Sequence, residues 1–513
     1  MLATVLSSAV FGIDGFLVSV ETDVAPGIPV FNIVGLPDTA VKESQHRVQA
    51  AIKNSGLFFP NRRITVNLAP ADIKKEGPAF DLPIAVGIIA ASGGLSVAAL
   101  SGYVLTGELS LDGSLRPIKG AVAMALAARD ANTKGMIVPE QNASEAALVQ
   151  GVPVYPLSSL IQTLNFLKGL EPVTPVRTDV QTLFSQCCTF GIDFSEVHGH
   201  AHAKRALEIA AAGNHNVLLL GPPGSGKTML ARRLPTIMPP LTLDEALEAT
   251  KIHSVTGTLP AGLPIVATRP FRSPHHNISE SGMIGGGTVP RPGEASLAHN
   301  GVLFLDELPE FHRDVLEALR QPLEDGEITI GRARSTLTFP ARFMLVAAMN
   351  PCPCGFYGDP RHTCTCTPLK IRRYRSRISG PLLDRIDIHI EVPALKYAEV
   401  ASKRPAEESA AIRQRVERAR AIQHERFQGV NLRRKVYANS QMSPALIKRF
   451  CSTTAQGDEI LRAAIDRLGL STRAYHRVLK VARTIADLEG SKEIQPSHLT
   501  EAVQYRSFDR AIW

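Results

Sequence analysis

Residues 221–228 read Gly221-Pro222-Pro223-Gly224-Ser225-Gly226-Lys227-Thr228 and match G-x-x-x-x-G-K-[ST] at every fixed position. Glycines at 221, 224 and 226 free the backbone to aim N–H groups at phosphate oxygens. Lys227 would reach the β- and γ-phosphates of ATP, and Thr228 would offer its hydroxyl to Mg²⁺. A second constellation is Cys352, Cys354, Cys364 and Cys366, in the pattern C-x-C-x₉-C-x-C. Two pairs of thiolates suit tetrahedral Zn²⁺ in a structural role, although C-x-C is tighter than the common C-x₂-C. His362 could replace one thiolate, and the alternative is four reduced thiols without a metal. The adjacent His275 and His276 would need turns to aim at one metal and are read as loop or DNA-contact residues.

Both constellations need elements to hold them. The apolar run Val217–Leu220 precedes the glycine-rich loop and residues 229–234 can start a helix after it, the strand–loop–helix context that a phosphate loop requires. Residues 302–307 (VLFLDE) form a short apolar strand ending in Asp306 and Glu307, and residues 345–350 (LVAAMN) another ending in Asn350. Adjacent side chains on a strand point to opposite faces, so Asp306 and Glu307 can share a site only where the backbone turns. Residues 327–339 (EITIGRARSTLTF) alternate as a hairpin, with the turn expected at Gly331 and Arg332 and Arg334 near the tip. Helical patterns dominate from Ser443 onward, above all over 471–484, with a last helix over 496–506. Residues 413–426 carry Arg413, Arg415, Arg418, Arg420 and Arg426, a run that a solvated helix face would explain.

The chain has 513 residues, enough for about three domains. Hydrophobic residues make up 44% and charged residues 20%, so packed cores are expected. Net charge is +8, and the basic excess lies beyond residue 180, where a polyanion partner would be met. No apolar run has the length of a membrane span. The N-terminus has no basic residue before Lys42 and makes a poor signal peptide. Seven cysteines in a chain this long do not make a secreted disulfide framework, so a cytoplasmic protein is expected.

Residues 1–170 read as one α/β domain. Its segments KKEGPAFD (74–81), GELSLDGSLRPIKG (107–120) and GMIVPEQN (135–142) resemble the Lon-type protease domain in order and spacing. The resemblance puts Ala79 where that family has its nucleophilic serine and Val122 where it has its catalytic lysine, with Lys119 nearby but out of register. Neither Ala79 nor Val122 can act as nucleophile or base, so a Lon-like fold without proteolysis is expected. Residues 171–190 read as a linker.

Residues 191–395 resemble the AAA+ ATPase core: the segment 194–212, the phosphate loop, VLFLDE, LVAAMN and LLDRID (382–387) follow in AAA+ order and spacing. That resemblance implies that Asp306 holds Mg²⁺, that Glu307 polarises the attacking water and that Asn350 orients it or senses the γ-phosphate. It implies that Arg385 is an arginine finger reaching a neighbouring subunit's ATP, with Arg377 as a spare candidate and an intrachain pair with Asp384 or Asp387 as the alternative. Residues 396–513 would form the helical lid, in which Arg473 resembles the sensor-2 arginine and Arg477 stands one helical turn on. The helix-2 insertion over 256–299 and the pre-sensor hairpin resemble the branch holding magnesium chelatases and MCM helicases.

With the segments RPFRSPHHNIS (269–279) and NPCPCG (350–355), the whole chain resembles the bacterial ComM/YifB magnesium chelatase-like family. That resemblance implies a homo-hexameric DNA branch-migration helicase that helps integrate incoming DNA during natural transformation, with Arg332 and Arg334 touching DNA. The competing expectation is a chelatase motor subunit that drives metal into a tetrapyrrole.

Overall fold

The computed structural model describes residues 1–179, 183, 190–260, 263–287, 290–332, 335–359, 361–395, 406–428, 430, 436–468 and 471–506. It falls into two compact units, one of Met1–Cys187 with Leu243–Ala267 and one of Cys188–Thr242 with Thr268–Trp513.

In the first unit, β1 (Leu2–Phe11) and β2 (Asp14–Ala25) form an antiparallel hairpin turning at Gly12, whose φ of +67° favours glycine. Further elements are β3 (Val30–Val34), α1 (Thr39–Asn54), β4 (Arg63–Ala69), α2 (Asp81–Ala91), β5 (Tyr103–Leu105), α3 (Ala121–Asp130), β6 (Gly135–Pro139) and β7 (Val154–Leu157). The sheet runs β3-β4-β2-β1-β5-β6-β7. Asp38 caps α1 by accepting the Val41 N–H at 2.7 Å. Every residue of α2 is buried, as its apolar sequence from Leu82 onward requires of a helix inside a core. Its first residue, Asp81, is a buried carboxylate satisfied by Arg47, by Ser44 and by the Leu109 N–H at 3.2 Å. Ala79 and Val122 are both buried. Glu145 accepts the Val122 N–H and the Ser254 hydroxyl, and its burial raises its pKa. Lys119 is exposed.

Sequence order assigns residues 243–267 to the nucleotide domain, yet they pack in this first unit. The physical reason is local. The helix Leu243–Thr256 buries Ala246, Ala249 and Ile252, Lys251 pairs with Asp14, and the Ser254 carbonyl accepts the Gly120 N–H at 3.2 Å.

The second unit is built on α4 (Ala201–Gly213), β8 (Val217–Leu220), α5 (Lys227–Ile237), β9 (Phe271–Arg272), β10 (Val302–Leu305), α6 (Arg320–Asp325), β11 (Glu327–Arg332), β12 (Ser335–Pro340), β13 (Met344–Met349), α7 (Pro368–Arg375) and β14 (Ile388–Glu391). A parallel sheet runs β9-β10-β13-β8-β14. Strands β8, β10 and β13 are wholly buried, which explains their unbroken apolar runs. The helices α8 (Ser409–Phe427), α9 (Thr472–Leu488) and α10 (Pro496–Gln504) complete the unit. The arginine run is not simply a solvated face. Arg415 pairs with Glu208 and Glu407, Arg420 donates to the Tyr437 carbonyl at 3.0 Å, and Arg426 reaches the buried Asp487.

Strands β11 and β12 form the expected hairpin, but Gly331 is not its turn. Gly331 pairs with Thr336 and Arg332 with Ser335, so the ladder runs past it. Positions 333 and 334, including Arg334, lie outside the described residues.

Candidate functional site

Strand β8 delivers the chain at its carboxyl end directly into the glycine-rich loop. A Cβ at Gly221 would stand 2.2 Å from the Val392 carbonyl oxygen, so no side chain fits there. Gly224 and Gly226 take φ of +72° and +85°, the left-handed region that side-chain-bearing residues avoid. Gly226 precedes α5 without any side-chain cap, which leaves the helix's first N–H groups for an anion. The Ser225 hydroxyl is buried without a partner among the described residues.

Lys227 is nearly buried, and its ammonium donates to the Gly221 and Pro222 carbonyls at 2.8 Å each and to Asn350 Oδ1 at 3.2 Å. Burial pushes its pKa down, against the pull of Asp306 and Glu307. Neutral carbonyls are weaker partners for an ammonium than phosphate oxygens, so they can be exchanged. Thr228 Oγ1 donates to Asp306 Oδ2 at 2.7 Å, putting a hydroxyl and a carboxylate side by side. Hydroxyl and carboxylate oxygens are the donor set that Mg²⁺ takes beside a phosphate chain.

Strand β10 ends at Leu305, and Glu307 has φ of +53°. This is the backbone turn that lets both carboxylates serve one site. Glu307 donates its N–H to Asp306 Oδ1 at 3.0 Å, while its own carboxylate is 57% exposed and stands 3.7 Å from His276 Nδ1. His276 lies in a loop, as expected, and that loop sets it beside Glu307. Its ring stands 4.1 Å from that of His275 and meets the edge of Phe311. Only the pairing across β9 and β10 brings it there, and no local spacing signals that.

Lys227, Thr228, Asp306, Glu307 and Asn350 thus gather at the carboxyl ends of β8, β10 and β13, where open parallel sheets bind ligands. Arg385 does not join them. It precedes β14 at the opposite, amino-terminal edge, is 6% exposed, donates to the Pro381 carbonyl at 2.7 Å and pairs with Glu324. Its carboxylate partner is therefore neither Asp384 nor Asp387. Asp387 belongs to Arg477 and lies 3.5 Å from His215. Burial alone would raise its carboxyl, but Arg477 and His215 pull it well below the usual range. Arg473 lines a cavity of about 510 Å³ with Glu324, Arg342, Arg477 and Lys480, on the same edge as Arg385. Arg377, by contrast, pairs with Glu310 at 2.7 Å, close behind Glu307.

The four cysteines come together. Sulfur separations are 3.3 Å for Cys352–Cys354, 3.7 Å for Cys352–Cys364 and 3.6 Å for Cys354–Cys364, and all four sulfurs lie within 4.8 Å of one another. Tetrahedral bonds of about 2.3 Å put sulfurs roughly 3.8 Å apart. The cluster is compatible with a structural metal. His362 does not take part: it stacks on Phe356 at 4.7 Å and leans toward Asp359. The cysteine loop also touches the phosphate loop, since a Cβ at Gly355 (φ +86°) would come within 2.5 Å of Pro223 Cδ.

The family comparisons agree with this geometry. Family models described as "Magnesium chelatase, subunit ChlI", "Subunit ChlI of Mg-chelatase" and "Magnesium chelatase, subunit ChlI C-terminal" match residues 193–400, 20–142 and 406–506. The competence protein ComM of Haemophilus influenzae is 46% identical over 100% of this chain and 98% of its own length. The chain belongs to the ComM/YifB family. The YifB protein of Salmonella typhimurium is 45% identical over 100% of this chain and 98% of its own length. A Lon protease of Syntrophobacter fumaroxidans shares 31% identity across 28% of this chain and 18% of its own length. This ComM/YifB member is a ComM-like AAA+ ATPase with a mixed α/β fold, a family for which ATP and Mg²⁺ are implied. No helix among the described residues is long and apolar enough to cross a membrane.

Proposed function

We propose that this chain is one subunit of a cytoplasmic hexameric DNA motor that drives branch migration and promotes integration of incoming DNA during natural transformation. In each subunit the loop Gly221–Thr228 cradles the phosphates, Lys227 neutralises their charge, and Thr228 and Asp306 hold Mg²⁺. The metal, when bound, supplies further charge neutralisation. Glu307 takes the proton of the water that attacks the γ-phosphorus, and Asn350 orients that water. Arg385 and Arg473 share the edge opposite this site. A four-residue strand separates the two edges by roughly 13 Å, which supports Arg385 as a finger for the neighbouring subunit's nucleotide, with Arg473 as the sensor-2 arginine.

The observation that carries the DNA reading is the hairpin β11–β12, inserted in the sequence between β10, which leads to Asp306 and Glu307, and β13, and paired over six positions up to Arg332. A hairpin that the chain inserts between two strands of the nucleotide sheet would move with the ATP cycle. Arg332 and Arg334 near its tip would grip phosphates, which carry no sequence information. Arg332→Ala/Arg334→Ala is expected to lower forked-DNA affinity and to reduce the slope of log K against log salt by about two contacts per engaged subunit. Basal ATPase should survive, because the phosphate loop, Asp306 and Glu307 are carried by other elements than this hairpin. Unwinding and a salt slope both equal to wild type would remove the hairpin from the DNA path.

A second reading, a chelatase motor subunit acting on a tetrapyrrole, is favoured by the three family models named for that subunit. The two readings part on one measurement: whether ATP turnover rises with forked DNA, or only with porphyrin and partner subunits.

For the cysteine cluster we infer zinc. Freshly purified protein should carry about one Zn²⁺ per chain. Because Gly355 rests on Pro223, stripping the metal should lower Tm by roughly 5–10 °C and weaken ATP binding with it. Protein free of zinc by elemental analysis and with an unchanged Tm would count against a metal.

A further inference from the structure

The segment that carries Arg385 is held in place by its backbone, from two sides. Asn216, just before β8, donates Nδ2 to the Arg385 carbonyl at 2.9 Å and its N–H to Asp387 Oδ2 at 3.1 Å. The Asp387 N–H returns to the Asn216 carbonyl at 3.0 Å. From the helical side, Arg477 on α9 donates Nη1 to the same Arg385 carbonyl at 3.0 Å and pairs with the Asp387 carboxylate. Arg506 donates to the Ile386 carbonyl. Three consecutive residues, 385 to 387, therefore have their backbone or carboxylate claimed by fixed donors. Among the described residues, the Arg385 side chain itself has only the Pro381 carbonyl and Glu324, which is 56% exposed.

Arg477 is suited to this task. A guanidinium presents several donors in a rigid fork, so one side chain can hold a carbonyl and a carboxylate together. Asp387 is buried, and a buried carboxylate demands a charged partner. Among the described residues, Arg477 bonds Arg385 and Asp387 and no group of the phosphate loop or of Asp306–Glu307.

We propose that Arg477 is a positioning residue for the arginine finger: it fixes the backbone of 385–387 so that Arg385 projects toward the neighbouring subunit's γ-phosphate, and it acts in that neighbour's site rather than in its own. The inference rests on the reading of Arg385 as a finger in trans. Because Arg477 also ties α9 to the finger segment, a shift of the lid helix displaces the finger. A misplacement of about 1 Å in a positioning element can cost roughly 100-fold in rate.

The test uses full-length protein and mixed oligomers. Arg477→Met should lower ATP turnover by roughly 10- to 100-fold while leaving ATP affinity within about twofold of wild type. Arg477→Lys, which keeps a cation opposite Asp387, should fall less. Mixed with Lys227→Ala subunits, Arg477→Met should regain activity, since some interfaces then pair an intact phosphate loop with an intact finger. Mixed with Arg385→Ala it should regain none, because no interface has a working finger. The reverse pattern, rescue by Arg385→Ala and not by Lys227→Ala, would put Arg477 in its own subunit's site and overturn the inference. So would wild-type turnover in both variants. If Arg477→Met loses ATP binding through misfolding, Arg477→Lys gives the assignment by the same mixing. Arg385→Ala failing to complement Lys227→Ala would instead defeat the finger reading itself, a result separable from the first.

Discussion

Glu307→Gln is expected to bind ATP about as tightly as the unaltered chain and to hydrolyse it roughly 10²–10⁴ times more slowly. The geometry separates the two properties. Binding rests on the loop Gly221–Thr228, on the buried Lys227 and on the Thr228–Asp306 pair, none of which needs the Glu307 carboxylate. Glu307 stands one residue past Asp306 on a left-handed turn, its side chain 57% exposed and open to water. The amide keeps the size and one acceptor but cannot take a proton at neutral pH. Lys227→Ala should behave differently and lose nucleotide affinity, because it removes the buried cation that the phosphate loop encloses. Single-turnover hydrolysis beside equilibrium binding of a fluorescent ATP analogue distinguishes the cases. Hydrolysis at the normal rate in Glu307→Gln would take the general-base role away from this residue.

The local elements of the nucleotide unit were legible because each is short, apolar and ended by glycine or a polar residue at its carboxyl end. VLLL, VLFL and MLVAAM are strands buried on both faces, and only a central parallel sheet tolerates such runs. Gathering Lys227, Asp306 and Asn350 then follows from the strand order. What stayed hidden depends on contacts made at a distance in sequence. His276 comes to Glu307 through the pairing of β9 with β10, and its own neighbourhood shows only two adjacent histidines. Glu324 holds Arg385 from 61 residues away, where Asp384 and Asp387 look like nearer partners by spacing. The helix Leu243–Thr256 has a mixed surface whose packing partner no periodicity can name, so its place in the first unit came only from the structure. Gly331 illustrates the converse error: a glycine in an alternating stretch reads as a turn, but it sits inside the ladder opposite Thr336.

Replacing Arg385 with alanine is expected to cost roughly 10³–10⁵ in ATP turnover, the range in which arginine fingers act, without weakening ATP binding by the same subunit. Within one chain the guanidinium cannot reach Lys227. It stands before β14, whereas the phosphate loop follows β8, and the two strands run parallel in register from Val217 opposite Ile388 to Leu220 opposite Glu391. The separation is the length of the strand, roughly 13 Å. Arg385 is folded onto Glu324, whose carboxyl that hydrogen bond holds below its usual range. Glu324 is exposed, so a neighbour's γ-phosphate can replace it as the anion facing Arg385 at little desolvation cost. The decisive measurement is complementation. Arg385→Ala subunits keep an intact phosphate loop and Lys227→Ala subunits keep an intact finger, so each mutant alone is inactive for an opposite reason. In a mixture, some interfaces join the good half of one to the good half of the other, and turnover should pass through a maximum as the ratio is varied. A finger acting within its own chain predicts no such maximum, because every subunit then lacks one essential group. Activity at or below the sum of the separate mutants at every ratio would confine Arg385 to its intrachain pair with Glu324.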